Sequence, residues 1–382
     1  MKFSEIIEVL FTLREEGAKD LARPFSEALL HPHRAYPTIH VAGTNGKGSV
    51  CHKIAKALSL SGYRVGLYTS PHIHSYCERI AINEVPISES QVVEGLQTLF
   101  ELSQRESWRP GFFLFTTFLA FEYFRQEKVD VAVIETGIGG RYDATNIILP
   151  ILSVITSIGK DHEALLGEGV ENIAREKAGI IKKNIPVVVG PRARLDPIFQ
   201  EAKSVGAPLH LVCERGGFYD DENRAVAQEA LRHLHKSFNL SESAVHQGLS
   251  ERPFFRFMKK GRVLFDVAHN GHGFQRLFEG LRIFYPQEKY RFVFGAKGDK
   301  DYREILKEMA NYASHIHLVE CPTAGKAPLE ELEKSLLACS YCAYSLYFSV
   351  EDALKDALAY PELIVVCGSF SLMHPAALFL SV

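Results

Sequence analysis

The sequence predicts an α/β protein in two units: a P-loop-type, mostly parallel sheet domain, then a smaller Rossmann-like α/β domain. Three observations predict it. Near-continuous apolar runs such as "VDVAVIET" and "ILSVITS" have the composition of strands covered on both faces. Helical stretches alternate with them, the order that builds a parallel sheet through crossover connections. A glycine-rich run, "AGTNGKGSV", stands where a strand gives way to a helix, and strand patterns resume after the Arg252-Pro253 junction.

The elements follow in chain order. "MKFSEIIEVLFTLREEG" reads as an amphipathic helix carrying Glu5, Glu8, Glu15 and Glu16, which is not the pattern of a signal peptide. "TIHVAG" is a strand leading into the glycine run, and "KGSVCHKIAKALSLSG" a helix closed by Gly62. "YRVGLYTS" is the next strand. "ISESQVVEGLQTLFELSQ" is a helix whose Ser88 and Gln91 match a capping box. The aromatic run "FFLFTTFLAFEYF" is too short to span a bilayer and reads as a buried helix. After the strands "VDVAVIET" and "ILSVITS", "NIPVVVG" and "APLHLV" extend the sheet. "ENRAVAQEALRHLHKSF" and "SESAVHQGL" are helices. The strands "RVLFD", "YRFVFG", "SHIHLVE" and "ELIVVCGS" belong to the second domain. The expected domains are therefore 1–251 and 252–382.

Length and composition narrow the function. A chain of 382 residues with 46% hydrophobic content supports more than one core. Its 43 Lys plus Arg against 46 Asp plus Glu leave a net charge of −3, with no basic excess to bind nucleic acid. No membrane span is expected. Seven scattered cysteines suggest a reducing compartment, and "CSYC" (Cys339, Cys342) lacks the second close pair of a structural zinc site. It is expected to be incidental.

The glycine run departs from G-x-x-x-x-G-K-[ST]. Two residues separate Gly43 from Gly46, and Gly48 stands between Lys47 and Ser49. The parts needed to hold phosphate are nevertheless present. Glycines let successive backbone N–H groups of Gly43, Thr44, Asn45, Gly46 and Gly48 converge on an anion, and the following helix adds its positive end. Lys47 can neutralise phosphate charge, and the Ser49 hydroxyl can reach a metal. Glu135 ends an apolar strand, where a carboxylate faces the ligand crevice and can hold Mg²⁺.

"GTNGKGS" resembles the variant P-loop of the Mur ligase superfamily, and the chain resembles its folate branch, the folylpolyglutamate synthase/dihydrofolate synthase family. The resemblance runs in order through "TSPHIHSYCERIAIN", "VDVAVIETGIGGRYDATNII", "SVITSIGKDHEALLG" and "ENIAREKAGIIK", then "FDVAHNGHG" and "GAKGDKD". It implies an ATP-dependent ligase that joins L-glutamate to dihydropteroate or a (poly)glutamyl folate through an acyl phosphate. Two Mg²⁺ ions are implied. Ser70 joins Glu135 on the first, and His162 with Lys177, the latter as a carbamate, serves the second. Asn146 would contact the nucleotide base. Asp266 and His269 in the second domain would reach the ribose and phosphates across a cleft, with Arg256 beside them. Lys47, His162, Lys177, Asp266 and His269 would carry the catalysis. A cytoplasmic monomer is expected.

Two departures stand out. "RPFFRF" replaces the family's Pro-Gly-Arg before the strand "RVLFD", and Leu114 stands where the aromatic helix commonly has Glu. Two rivals remain at this point. One is a Mur-type ligase acting on a UDP-muramoyl precursor. The other is a P-loop switch that hydrolyses nucleotide without ligation.

Overall fold

The computed structural model describes residues 1–13, 18–214, 216–286, 289–298, 300–323 and 325–381. Glu15 and Glu16 of the expected first helix lie outside the described residues. The described part of that segment holds the helix Phe3–Thr12, and a second helix, Ala18–Ala28, comes later in the chain.

The chain forms two compact units, one of 1–215 and 220–252, the other of 216–219 and 253–382. The first holds an eight-stranded sheet. Its strands are β1 (Thr38–Ala42), β2 (Val65–Tyr68), β3 (Ile80–Ile82), β4 (Val85–Pro86), β5 (Val131–Glu135), β6 (Leu152–Ile155), β7 (Val187–Val189) and β8 (Leu209–Leu211). They lie in the order β4-β3-β2-β5-β1-β6-β7-β8. The six from β2 to β8 run parallel, and β3 and β4 add an antiparallel edge that the apolar pattern did not announce. β1 is central. The chain leaves it toward β2 on one side and later passes to β6 on the other, so the loop after β1 opens at a topological switch point, where α/β sheets bind ligands.

Side chains alternate across this sheet as a period of two requires. Val131 and Val133 of β5 pack with Ile39, Val41 and Val154 on one face. Ala132 and Ile134 pack on the other with Phe118, Phe121 and Phe124. Those rings belong to the helix Phe112–Gln126, which is buried as its composition required. The helix Glu89–Arg105 begins with the expected capping box, the Ser88 hydroxyl accepting the Gln91 N–H at 3.2 Å.

The second unit has a six-stranded sheet of β9 (Met258–Lys260), β10 (Val263–Phe265), β11 (Tyr290–Phe294), β12 (Ala313–Val319), β13 (Tyr344–Tyr347) and β14 (Leu363–Cys367). The order is β13-β12-β11-β14-β10-β9, parallel except for β9. Its core joins Phe292, Phe294 and Val365 to Phe274, Leu277 and Phe278 of the helix Gly271–Phe284. Cys339 and Cys342 are free thiols, and the Cys339 Sγ donates to the backbone oxygens of its own helix at 3.1 and 3.3 Å. No described helix is long and apolar enough to cross a membrane.

Candidate active site

The glycine run is a bent loop clamped from behind by the end of β6. Thr44 N–H donates to the Ser157 carbonyl at 2.7 Å, and Asn45 N–H to the Ser157 hydroxyl at 3.2 Å. In return the Thr156 and Ser157 hydroxyls donate to the Asn45 carbonyl at 2.7 and 3.0 Å. The loop passes so close to β6 that a Cβ on Gly43 would lie 1.9 Å from Thr156 Oγ1. Gly46 caps the helix Lys47–Leu60 at φ 85°, and a Cβ there would meet Asn223 Oδ1 at 2.3 Å. Both glycines are therefore needed for fit, and Gly46 also for its left-handed backbone. The residues that do the clamping, Thr156, Ser157 and Asn223, escaped the sequence reading. Hydroxyls in "VITSIG" at a strand's end were the one available signal.

Lys47 leads the helix, and its Nζ lies 3.8 Å from Glu135 Oε1. Glu135 closes β5, which pairs directly with β1, so strand register alone brings the two elements together. The carboxylate is 3% exposed, and its Oε2 accepts the Ser70 N–H at 3.0 Å. Lys47, Glu135 and Ser70 thus stand at one point, with the cradle beside them. A buried carboxylate next to a hydroxyl-bearing residue is a hard oxygen donor set that suits Mg²⁺.

The loop after β5, "TGIGGRYDATN", is organised by a carboxylate the sequence reading passed over. Asp143 is half-buried, and its oxygens accept the N–H groups of Gly137, Ile138 and Thr145 at 2.9, 3.1 and 3.0 Å. The Thr145 hydroxyl donates to it at 2.5 Å. That hydroxyl in turn lies 2.8 Å from Nε2 of the fully buried His40. Since the Thr145 proton is already used, His40 must be the donor, and burial holds its pKa near 3. Asn146 is used within the same loop. Its Nδ2 donates to the Arg141 and Gly179 carbonyls at 2.9 and 3.1 Å, and its Oδ1 accepts from Lys182 Nζ at 2.7 Å.

Lys177 is the most unusual group. It lies on the helix Val170–Ala178, which a sequence reading makes a solvated surface, yet it is 4% exposed. Burial, and next the charge of Lys47, push its pKa down to about 7, against the opposing pull of Asp161, Asp143 and Glu176. Near neutral pH about half of such amines carry no proton. His162 follows Asp161 at φ 53°, its Nε2 3.9 Å from Asp161 Oδ1. Asp161 is therefore the residue through which the His162 loop and Lys177 meet electrostatically.

Arg79, whose carbonyl accepts the Thr69 N–H at 3.0 Å, is buried against the ring of Phe112 at 4.9 Å and donates from Nε to His72 Nδ1 at 2.8 Å. Burial, then Arg79, lowers the His72 pKa to about 4, so the ring is the neutral acceptor this bond requires. Leu114, at the position the family commonly gives to Glu, is fully buried in the apolar core of this side.

In the second unit Asp266 is buried at the end of β10. It accepts the Tyr219 hydroxyl at 2.8 Å and the N–H groups of Phe257 and Ala268 at 3.0 and 2.8 Å. Burial raises its pKa, and these donors oppose the rise. Arg256 and His269 share one platform, the Phe370 ring, at 5.1 Å from the guanidinium and 5.2 Å between ring centroids. Arg256 therefore belongs with Asp266 and His269 even though its local motif is broken.

Fold and cradle together define an ATP-dependent, amide-forming ligase of the Mur ligase type. Residues 255–370 match the family model described as "Mur ligase, glutamate ligase domain". The chain is 36% identical over 332 residues to the dihydrofolate synthase/folylpolyglutamate synthase of Bacillus subtilis, covering 75% of this chain and 77% of that protein. It superposes on Escherichia coli FolC in complex with DHPP and ADP with a TM-score of 0.89, at 27% identity over 100% of this chain and 98% of that one. The bifunctional Yersinia pestis enzyme complexed with AMPPNP and Mn gives 0.88 at 28% identity, over 100% and 98%. The chain belongs to the dihydrofolate synthase/folylpolyglutamate synthase family. That placement sets aside the UDP-muramoyl ligase and the non-ligating switch.

Proposed function

We propose that this protein joins L-glutamate to the carboxylate of dihydropteroate or of a reduced (poly)glutamyl folate. A carboxylate oxygen attacks the γ-phosphorus of ATP and ADP leaves, giving an acyl phosphate. The α-amine of glutamate then attacks the acyl carbon. The tetrahedral intermediate expels phosphate with the transferred oxygen, and the amine gives up a proton. The names of the relatives support the substrates. The neighbours' ADP, AMPPNP and Mn support a nucleotide and a divalent ion.

The chain's own residues do the positioning. The loop N–H groups from Gly43 to Ser49 and the Lys47 amine hold the phosphates, and the helix end adds fixed positive potential. Ser70 and Glu135 would hold one Mg²⁺, and His162 with carbamylated Lys177 a second. When bound, such ions neutralise charge as the phosphoryl group moves. Carbamylation asks for a neutral amine: its nitrogen bonds to the carbon of CO₂ and releases a proton. Buried, cation-flanked Lys177, with its pKa near 7, is the observation that carries this reading. Asp266, His269 and Arg256 are assigned to the nucleotide, and Asn146 to its base. The reading takes the protein as a cytoplasmic monomer, the monomer being open to sedimentation.

The test supplies purified protein with ATP, Mg²⁺ and labelled glutamate, offering dihydropteroate and tetrahydrofolate in turn. Label should enter at least one product with ADP and phosphate formed in equal amount. ATP turnover that ignores both pterins would overturn the proposal.

A further inference from the structure

One cluster lies away from the site just described. His210, in the middle of the edge strand β8, faces Glu229 and His233 of the helix Tyr219–Leu234. One ligand-type atom from each of the three lies within 4.8 Å of the others. Glu229 and His233 are four apart, so they project from one face of the helix. Their contact is direct, Glu229 Oε1 lying 3.1 Å from His233 Nε2. The two imidazoles pack with centroids 3.8 Å apart. Two protonated rings would repel at that distance. Burial, then His233, lowers the His210 pKa, which keeps that ring in the neutral form a metal takes.

We propose that His210, Glu229 and His233 form a site for one borderline divalent transition-metal ion, with Zn²⁺ the best match, which ties edge strand β8 to the helix behind it. Two imidazole nitrogens and one carboxylate oxygen are a zinc-type donor set. A hard Mg²⁺ ion prefers all-oxygen surroundings instead. A fourth position would fall to water from the cavity of about 270 Å³ that Glu229, Gln228 and Cys213 line. Arg232 is the competitor. Its Nε and Nη2 donate to the two Glu229 oxygens at 3.0 and 2.5 Å, and Nη2 lies 3.2 Å from His233 Nε2. That side chain is mostly exposed and can swing into solvent as the carboxylate turns to the ion. The same helix carries Asn223 against Gly46 of the phosphate loop. Glu229 lies six residues further on, about 9 Å along the axis.

The experiment titrates untagged full-length protein with Zn²⁺ by calorimetry in the presence of Mg²⁺ and ADP, and repeats the titration with Co²⁺ in the visible. One equivalent of Zn²⁺ should bind. His210→Gln, Glu229→Gln and His233→Gln, each checked for an unchanged circular dichroism spectrum, should weaken binding at least about tenfold. Arg232→Ala should tighten it by removing the competitor. His162→Ala should leave it unchanged. Titrations of His233→Gln and wild type that superpose would overturn the proposal. So would loss of the Zn²⁺ equivalent in His162→Ala, or a thiolate-to-cobalt charge-transfer band, which would place the ion on cysteine. The ligase reading stands or falls separately, since its assay contains no Zn²⁺.

Discussion

Two lysines of the first unit are buried, and they are buried differently. Lys53, on the helix after the phosphate loop, is 0% exposed. Its Nζ donates to the Leu249 and Glu251 carbonyls at 3.0 and 2.5 Å and lies 3.2 Å from Asp220 Oδ1. Burial lowers its pKa, and the Asp220 charge opposes that shift. All three ammonium protons are thereby used, and the ion ties the helix Lys47–Leu60 to the end of the helix Glu242–Ser250. Lys177 is buried to nearly the same degree, but among the described residues no acceptor takes a hydrogen bond from its Nζ, and its second perturber is another cation. A buried charge with its acceptors in place is architecture. A buried amine that its surroundings strip of its proton is poised for chemistry.

The largest expected effect separates the two most sharply. Lys177→Ala should lower the ligation rate by about 10²–10³-fold, the scale of losing one preorganised electrostatic group, and leave the melting temperature nearly unchanged. Full activity of the folded variant in the glutamate-incorporation assay would place Lys177 with Lys53 as a structural residue.

Lys53→Ala should do the reverse. Removing one partner of a buried pair strands Asp220 and two carbonyls, at a cost of about 3 kcal/mol or more in denaturant unfolding, while the protein that remains folded keeps its kcat. Lys53→Met, which preserves volume, should still lose stability, because Asp220 loses its buried ammonium partner and keeps the half-exposed Arg252, 3.3 Å away.

The pH response should distinguish them next. Lys177 titrates near 7 in the metal-free protein. At fixed dissolved CO₂, recharging of the CO₂-depleted enzyme should speed up about fivefold from pH 6 to 7 and less than twofold from pH 7 to 8. An ordinary lysine would gain about tenfold per unit throughout that range. The sign for stability follows from the lowered pKa. Between about 7 and 10.5 the unfolded chain binds a proton that the folded chain lacks, so this group makes stability rise with pH across that window and withdraws the gain as pH falls through 7. A tenfold-per-unit recharging curve would return Lys177 to the ordinary class.

The smallest effect tests the loop that precedes both lysines in sequence. Gly46→Ala forces a side chain into the left-handed region and toward Asn223, which should cost about 1–2 kcal/mol and weaken ATP binding several-fold. Adding Asn223→Ala should relieve the crowding but not the backbone cost. Complete rescue by the second substitution would show that contact alone decides the position.

Much of this molecule is legible in the chain because local chemistry decides it. Apolar runs of four to eight residues between turn residues become strands, and β1, β2, β5 to β8, β10 to β12 and β14 fall where those runs lie. Gly43, Gly46 and Lys47 at a strand-to-helix junction carry the parts of a phosphate cradle in the chain itself, and the resemblance of "GTNGKGS" to the Mur ligase loop turns those parts into an expectation. What the chain alone leaves open depends on neighbours distant in sequence. The helical spacing around Lys177 is the same whether the amine meets water or the protein interior, and only the packed fold buries it and sets the Lys47 charge against it. The carboxylate of Glu135 reaches Lys47 and Ser70 because parallel pairing places β5 between β1 and β2, a long-range choice with no local signature. Asp143 and Thr156 look like ordinary loop and strand-end residues until the backbone donors and acceptors they satisfy are brought beside them. Periodicity is written into neighbouring residues, so it reads directly from the chain. Desolvation and partner choice are properties of the assembled core, and only the tertiary structure decides them.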